Sequence, residues 1–230
     1  MRFPTGRLVL GVAVITALAA AFGTIHFTHP AWYERLWHPL RYQRIVLGHA
    51  RNYHLDPALL AAVIYQESKF KADAESDRGA IGLMQLLPDT AKGIAERTGG
   101  SKFRVSDLYD PELNVRYGAW YLRHLLDKYG SERTALAAYN AGQANVDGWR
   151  ALGIGIQFEE TKGFVDHVES LKKTYRHAYA SLRHGGGRPA RRAASRDDER
   201  QHPRRSSLKS LVQPRDVSNP VSDTGVETIV

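Results

Sequence analysis

The chain has 230 residues, no cysteine, 43% apolar residues and a formal net charge of +8. These values allow one folded domain of moderate size with appendages, and they exclude a disulfide-stabilised miniprotein, cysteine chemistry and disorder throughout. A positive charge suits nucleic acid, anionic lipid and anionic cell-wall polymers equally well, so the position of the charges has to distinguish these partners.

The first predicted element is an apolar segment close to the N-terminus. An uncharged run from Leu8 to Ile25 follows Arg2 and Arg7 and is long enough to approach the thickness of a bilayer core. We therefore predict a transmembrane anchor over residues 8–27. Three aromatic residues of the kind that prefers the membrane interface come just beyond it, namely Trp32, Tyr33 and Trp37.

Two alternatives to an uncleaved anchor are open at this stage. The small residues from Ala17 to Ala21 offer signal-peptide cleavage sites, and a buried helix of a soluble domain is also apolar, although this run has no polar face. An uncleaved anchor makes the chain a single-pass protein of the inner (cytoplasmic) membrane, with its folded domain on the periplasmic or extracellular side. Cleavage would make the domain a secreted protein.

After a juxtamembrane linker at residues 28–39, helix signals dominate the chain. Apolar residues keep helical spacing in segments that begin near residues 40, 57, 88, 111, 131 and 161. Three of these begin at a proline that suits the first helical turn, in the pairs Asp56-Pro57, Leu87-Pro88 and Asp110-Pro111. Because strand-like alternation is scarce, we predict an all-α domain over residues 40–184 with a glycine-bearing loop at residues 71–85.

The last segment has a different composition. After residue 184 the apolar periodicity is lost, and glycine, arginine, proline and serine accumulate. Residues 185–230 are therefore predicted to be a disordered basic tail. We expect an unselective flexible end, and an electrostatic arm for anionic polymers is the alternative.

An acidic residue extends the apolar stripe of the helix that begins at Pro57. Apolar residues precede Glu67 by seven, four and three positions, so on a helix its carboxyl group faces the buried side. Burial disfavours the charged form and raises the pKa, which suits a general acid that protonates a leaving oxygen. The alternative is a partly exposed acid paired with a nearby lysine or arginine.

Three short motifs in order carry a family resemblance. Glu67-Ser68 is followed by Gly82-Leu83-Met84-Gln85 in the loop and by Ala138-Tyr139-Asn140-Ala141-Gly142 at a helix end. Each of the last two is ordinary by itself, in core packing or helix capping. Together, in this order and spacing, the three motifs resemble the catalytic domain of the soluble lytic transglycosylases, whose fold is similar to goose-type lysozyme. The resemblance covers residues 40–182 approximately.

The resemblance implies a lysozyme-like helical fold and roles for individual residues. Glu67 would be the catalytic acid, and Ser68 would help to hold the end of its helix. Residues that shape the sugar site would be Ser76, Met84, Gln85, Tyr139 and Asn140. The substrate would be peptidoglycan glycan strands, cut between N-acetylmuramic acid and N-acetylglucosamine without net addition of water, so that a 1,6-anhydro ring remains. Neither a metal nor an organic cofactor would be needed.

A single placed acid agrees with this chemistry. Most glycosidases use two carboxylates, but the N-acetyl group and the primary hydroxyl of the substrate can replace the second one. The loop acids Asp73, Glu75 and Asp77 keep a lysozyme-like hydrolase open as an alternative. One departure from many relatives is Phe164, which stands in the last helix where they carry a tyrosine.

Two other classes of function are weaker. A non-catalytic cell-wall-binding module does not require an inward-facing acid, and Glu67 therefore argues against it. A nucleic-acid-binding protein would suit the net charge and the arginine-rich tail, but the export segment opposes it, and no nucleic-acid partner is expected. The sequence leaves the oligomeric state open.

Overall fold

The computed structural model describes residues 5–182 of the chain, with side chains from Val9 onward, and this part is helical. Only isolated bridges, and no strands, occur within it. The α-helices are α1 Thr5–Thr28, α2 Ala31–Trp37, α3 Gln43–Asn52, α4 Pro57–Ser68, α5 Pro88–Thr98, α6 Pro111–Tyr129, α7 Glu132–Ala141, α8 Gln143–Ala151 and α9 Glu159–Ala178. Short 3-10 helices cover Val105–Tyr109 and Ala180–Leu182. The predicted all-α fold is confirmed, while the predicted tail at residues 185–230 lies outside the described residues.

The first helix has the length and composition of a membrane span. The stretch Val9–Thr28 has a mean hydropathy of 2.0 over its best window, and none of that window is buried against the rest of the protein. Its three threonine hydroxyls each donate to the carbonyl four residues earlier, at 2.7 to 2.9 Å. No hydroxyl donor of the span is therefore left without an acceptor, as an apolar medium requires.

The predicted helix starts are present with their capping contacts. The Asp56 carboxylate accepts a hydrogen bond from the Ala58 N–H at 2.9 Å, and Asp110 accepts one from the Leu113 N–H at 2.8 Å. In both cases a proline occupies the first helical position, where its missing N–H costs nothing. Gly130 adopts a left-handed conformation with φ of 68° directly after α6.

α4 is the central helix of the domain. Every residue from Ala58 to Ile64 is at most 1% exposed, so this helix is buried on all sides rather than along one stripe. It packs against α9 and α3. α6 packs against α3, α7 packs against α9, and α6 and α7 also pack against each other, which completes the enclosure. Because α4 is held from several directions, its C-terminal end is a firm base for a functional side chain.

Two helices were not predicted from the sequence. α2 lies within the segment 28–39 that the composition suggested as a linker, and it packs against α9. Seven residues are too few to display a helical repeat, and its stabilising contacts come from residues far along the chain. α8 follows α7 after Gly142 alone, whose φ of 85° and ψ of 153° redirect the chain between the two helices.

Candidate active site

Glu67 lies in the last turn of α4. The helix ends at Ser68, and Lys69 and Phe70 follow in left-handed conformations with φ of 53° and 60°. The Ser68 hydroxyl donates to the Ile64 carbonyl at 3.1 Å and to the Leu83 carbonyl at 2.8 Å. This serine therefore joins the end of the helix to the glycine-bearing loop directly beside Glu67.

The surroundings of Glu67 favour its protonated form. Burial raises the pKa of the Glu67 carboxyl group to about 8, and the positive charge of Lys69 opposes this rise. Glu67 as a residue is nevertheless partly exposed. A carboxyl group with this pKa carries its proton at neutral pH, which is the requirement for a general acid.

The glycine-bearing loop is a compact structure with its own hydrogen bonds. Ile81 and Leu86 exchange both backbone hydrogen bonds at 3.0 Å, and the Gly82 N–H donates to the Ala74 carbonyl at 2.8 Å. Gly82 has a φ of 82°, and a Cβ at this position would overlap the Asn114 side chain. Only glycine therefore permits this close approach of the loop to α6.

Asn114 of α6 holds the glycine-bearing loop through side-chain hydrogen bonds. It is fully buried, and its side-chain oxygen accepts a hydrogen bond from the Met84 N–H at 2.8 Å. Its amide group donates to the Ile81 carbonyl at 2.9 Å and to the Leu108 carbonyl at 2.8 Å. One side chain thus connects the loop, the first 3-10 helix and α6.

Met84 and Tyr139 lie under the loop rather than on its surface. Met84 is fully buried against Gly118, where a side chain would overlap its sulfur, and Tyr139 is 6% exposed. The Tyr139 hydroxyl donates to the Met84 carbonyl at 2.8 Å. Burial, together with the charge of the nearby Glu67, raises the pKa of Tyr139 well above its usual value. The two residues therefore support the loop next to the acid.

The other predicted sugar-site residues also have partners within the protein. The Gln85 side-chain amide donates to the Ala74 carbonyl at 3.1 Å and to the Gly82 carbonyl at 2.9 Å. The Ser76 hydroxyl oxygen accepts from the Ala80 N–H at 3.0 Å. Asn140, which is partly exposed, accepts from the Thr161 hydroxyl at 2.7 Å. Their predicted contacts with a substrate stay predictions, because no sugar is present.

The loop acids do not act on Glu67. Asp73, Glu75 and Asp77 are exposed, and none of them is among the groups that shift the pKa of Glu67. Glu75 accepts a hydrogen bond from the Tyr109 hydroxyl at 3.0 Å, which directs this carboxylate toward the first 3-10 helix. Within residues 9–182 no cluster of three potential ligands could hold a metal ion.

Three contributors to this site were not singled out as functional residues from the sequence. Asn114 belongs to a stretch that supports the family resemblance, but its partners lie up to 33 residues away and are not visible in a local pattern. Thr161 orients Asn140 from the start of α9. The Tyr121 ring lies 5.7 Å from the Tyr139 ring, where helical spacing alone indicates only a core position.

The site and fold have known counterparts. Residues 45–153 match the family model of the transglycosylase SLT domain. The soluble lytic murein transglycosylase of Salmonella typhimurium is 32% identical over 151 residues, which are 60% of this chain and 23% of that protein. The membrane-bound lytic murein transglycosylase F of Pseudomonas fluorescens is 35% identical over 119 residues, which are 49% of this chain and 23% of that protein.

A solved structure shows the same helical arrangement. An inactive glutamate-to-glutamine variant of lytic transglycosylase Slt from Pseudomonas aeruginosa matches with a TM-score of 0.57 and 30% identity, covering 64% of this chain and 26% of that one. The chain spans about a quarter of the length of each of these three proteins. The similarity is therefore to one domain of these longer proteins.

Proposed function

We propose that this protein is a peptidoglycan lytic transglycosylase, because residues 45–153 match the family model of the transglycosylase SLT domain. It cleaves the β-1,4 bond between N-acetylmuramic acid and N-acetylglucosamine. The observation that carries this proposal is the single carboxyl group of Glu67, partly exposed at a helix end and with its pKa raised to about 8. The names of the similar proteins, which are lytic murein transglycosylases, support the same activity.

The proposed reaction uses Glu67 twice. Glu67 first donates its proton to the glycosidic oxygen, and the bond from that oxygen to the anomeric carbon of N-acetylmuramic acid breaks as the N-acetyl carbonyl oxygen bonds to this carbon. The resulting carboxylate then removes the proton of the C6 hydroxyl. The C6 oxygen attacks the anomeric carbon, the N-acetyl group is released, and a 1,6-anhydro ring forms. Glu67 ends protonated, and no water is consumed.

The neighbouring residues are proposed to hold the sugar against Glu67. Gln85, Asn140 and Ser76 carry polar groups on or near the loop, and they are proposed to contact the substrate. Met84 and Tyr139 are proposed to shape the sugar site from below, through the backbone of the loop, because their side chains are buried. This assignment deepens the sequence-based prediction, in which all five residues shape the site.

We also propose that α1 anchors the enzyme as a single-pass segment, with the catalytic domain on the periplasmic or extracellular side. The support is an apolar helix of sufficient length, together with a membrane-bound relative. Intact mass measurement of the protein recovered from membranes distinguishes this anchor from a cleaved signal peptide, because cleavage between Ala17 and Ala21 removes the residues before the cleavage site. A protein that remains in the membrane fraction at full mass supports the anchor.

Mass spectrometry of digested peptidoglycan tests the proposed activity. Fragments that end in 1,6-anhydro-muramic acid are lighter by one water than the reducing-end fragments of a lysozyme-like hydrolase. We expect anhydro fragments from the wild-type protein and none from Glu67→Gln. Glu75→Gln is the matched control and should keep the activity, because Glu75 bonds to Tyr109 instead of acting on Glu67. Reducing-end fragments, or activity in the Glu67→Gln variant, would refute the proposal.

A further inference from the structure

The junction between the apolar helix and the catalytic domain is short and ordered. α1 ends at Thr28 and α2 begins at Ala31, and three Cα–Cα steps span at most about 11 Å. Aromatic rings continue across this junction with centroid separations of 6.0 to 6.2 Å, in the series Phe22, His26, His29, Tyr33 and Trp37. α2 therefore starts close to the point where α1 would leave a membrane.

One side of α2 is bonded to the catalytic domain. The Arg35 guanidinium Nε donates to the Ala178 carbonyl at the end of α9 at 2.7 Å. The Tyr65 hydroxyl of α4 donates to the Trp37 carbonyl at 2.9 Å. Because Tyr65 and Glu67 belong to the same helix, α2 is bonded directly to the element that carries the acid.

The Glu34 carboxylate contacts the two histidines that flank α2. Glu34 contacts the Nδ1 atom of His29 at 3.2 Å and that of His38 at 3.0 Å, and its side chain is only 12% exposed. The Tyr179 hydroxyl donates to the His38 carbonyl at 3.0 Å and accepts from the Leu40 N–H at 2.8 Å. These contacts hold the segment that follows α2 against α9.

The other side of α2 exposes large apolar groups. Trp32 is 57% exposed and Leu36 is 72% exposed. Trp37 is 59% exposed, but it lies next to the Tyr33 ring and lines a cavity together with Tyr65 of α4 and Leu171 of α9. Trp32 and Leu36 are four positions apart on one helix and therefore share a face. A tryptophan ring with a free N–H is typical of the interface between lipid tails and water. Exposed arginines follow the helix at Arg41 and Arg44, where anionic headgroups would attract them.

We infer that α2 is a membrane-surface helix: Trp32 and Leu36 lie in the phospholipid headgroup region, while the opposite side fixes the catalytic domain. This inference rests on the proposed membrane placement of α1 and goes beyond it. A transmembrane helix alone permits a domain on a flexible stalk. A docked α2 instead holds the domain at the lipid surface in one orientation, so Glu67 keeps a fixed distance from the bilayer.

Spin labelling of the full chain in phospholipid vesicles with anionic lipid tests this inference. The sequence contains no cysteine, so a single introduced cysteine is labelled uniquely. Leu36→Cys reports on α2, Leu18→Cys on α1 and Leu152→Cys on the catalytic domain. The three leucines are 65 to 73% exposed, so a label at each position disturbs the packing little. The measurement is the collision rate of each label with oxygen, which partitions into lipid, and with a nickel chelate, which stays in water.

We expect the Leu36 label to lose most of its nickel collisions relative to the Leu152 label and to gain oxygen collisions. A label at Trp32→Cys, on the same face, should behave in the same way and guards against a local distortion at one site. If both α2 labels match the Leu152 label while the Leu18 label reports lipid, α2 does not touch the membrane. This inference is then wrong, and the proposal that α1 is an anchor is kept. A water-exposed Leu18 label would overturn the proposed anchor and this inference together.

Discussion

Replacement of Asn114 by alanine tests whether one buried side chain holds the glycine-bearing loop. The substitution removes three hydrogen bonds, to the Met84 N–H and to the carbonyls of Ile81 and Leu108. The Ile81 carbonyl keeps the bond from the Leu86 N–H, so two of the three groups, the Met84 N–H and the Leu108 carbonyl, are left unsatisfied. An unsatisfied buried group costs about 1–3 kcal/mol, and the expected loss of stability is therefore about 3 kcal/mol.

Thermal unfolding of the full chain in detergent, followed by circular dichroism, measures this loss. For a domain of this size, about 3 kcal/mol corresponds to a fall in the midpoint of roughly 6–12 °C. Cleavage of peptidoglycan should fall as well, because the loop that carries Gln85 is no longer fixed next to Glu67. The helical signal at low temperature should be unchanged, since Asn114 does not hold α6 itself together.

Asn145→Ala is the matched control for this experiment. Asn145 also donates through its amide group to a carbonyl, that of Ala141 at 2.7 Å, but it is partly exposed on α8. Water can replace this bond, so the expected change is within about 0.5 kcal/mol. If Asn114→Ala cost no more than Asn145→Ala, the loop would be held by other contacts, and the account of Asn114 given above would be wrong.

Three further changes give measurable outcomes. Gly118→Ala should destabilise the domain by roughly 1–3 kcal/mol in a denaturant titration, because the added Cβ overlaps Met84. Gly148→Ala on α8 is its control: the added Cβ meets open space, so the substitution should be neutral or stabilising. Lys69→Met removes the charge that lowers the pKa of Glu67, so Glu67 should stay protonated to higher pH. The basic limb of the pH profile of kcat/KM should therefore move to higher pH, and an unmoved limb would contradict the assignment of Glu67 as the general acid. Glu67→Gln should stabilise the protein increasingly as the pH rises from 4.5 to about 8. In that window the carboxyl group ionises in the unfolded wild-type chain but stays protonated in the folded protein, so wild-type stability falls with pH, and equal stabilisation at both ends would exclude the raised pKa.

The inward position of Glu67 and the helical fold were predictable because their signals are local. Glu67 continues an apolar stripe, and proline and glycine mark the helix ends at Pro57, Pro111 and Gly130. These signals depend on residues within about one or two helical turns of each other. The predicted family resemblance is confirmed by the match of residues 45–153 to the family model.

The supporting contacts of the site were not predictable because they join distant segments. Asn114 and Met84 are 30 positions apart, and Thr161 and Asn140 are 21 positions apart, so no helical or strand period relates them. α2 was also not predicted, because the residues that bind it belong to the distant helices α4 and α9. A composition rich in aromatic residues indicated a membrane interface but not a helix docked on the domain.

The internal bonds of two amide side chains determine which groups of a sugar they can bind. Gln85 donates both of its amide hydrogens to backbone carbonyls, and so only its oxygen is free to accept. Asn140 uses its oxygen as an acceptor for Thr161, and its amide hydrogens remain available as donors. The site therefore presents an acceptor on the loop and a donor at the end of α7. An N-acetyl group, which offers one N–H and one carbonyl, is the part of the proposed substrate that this polarity suits.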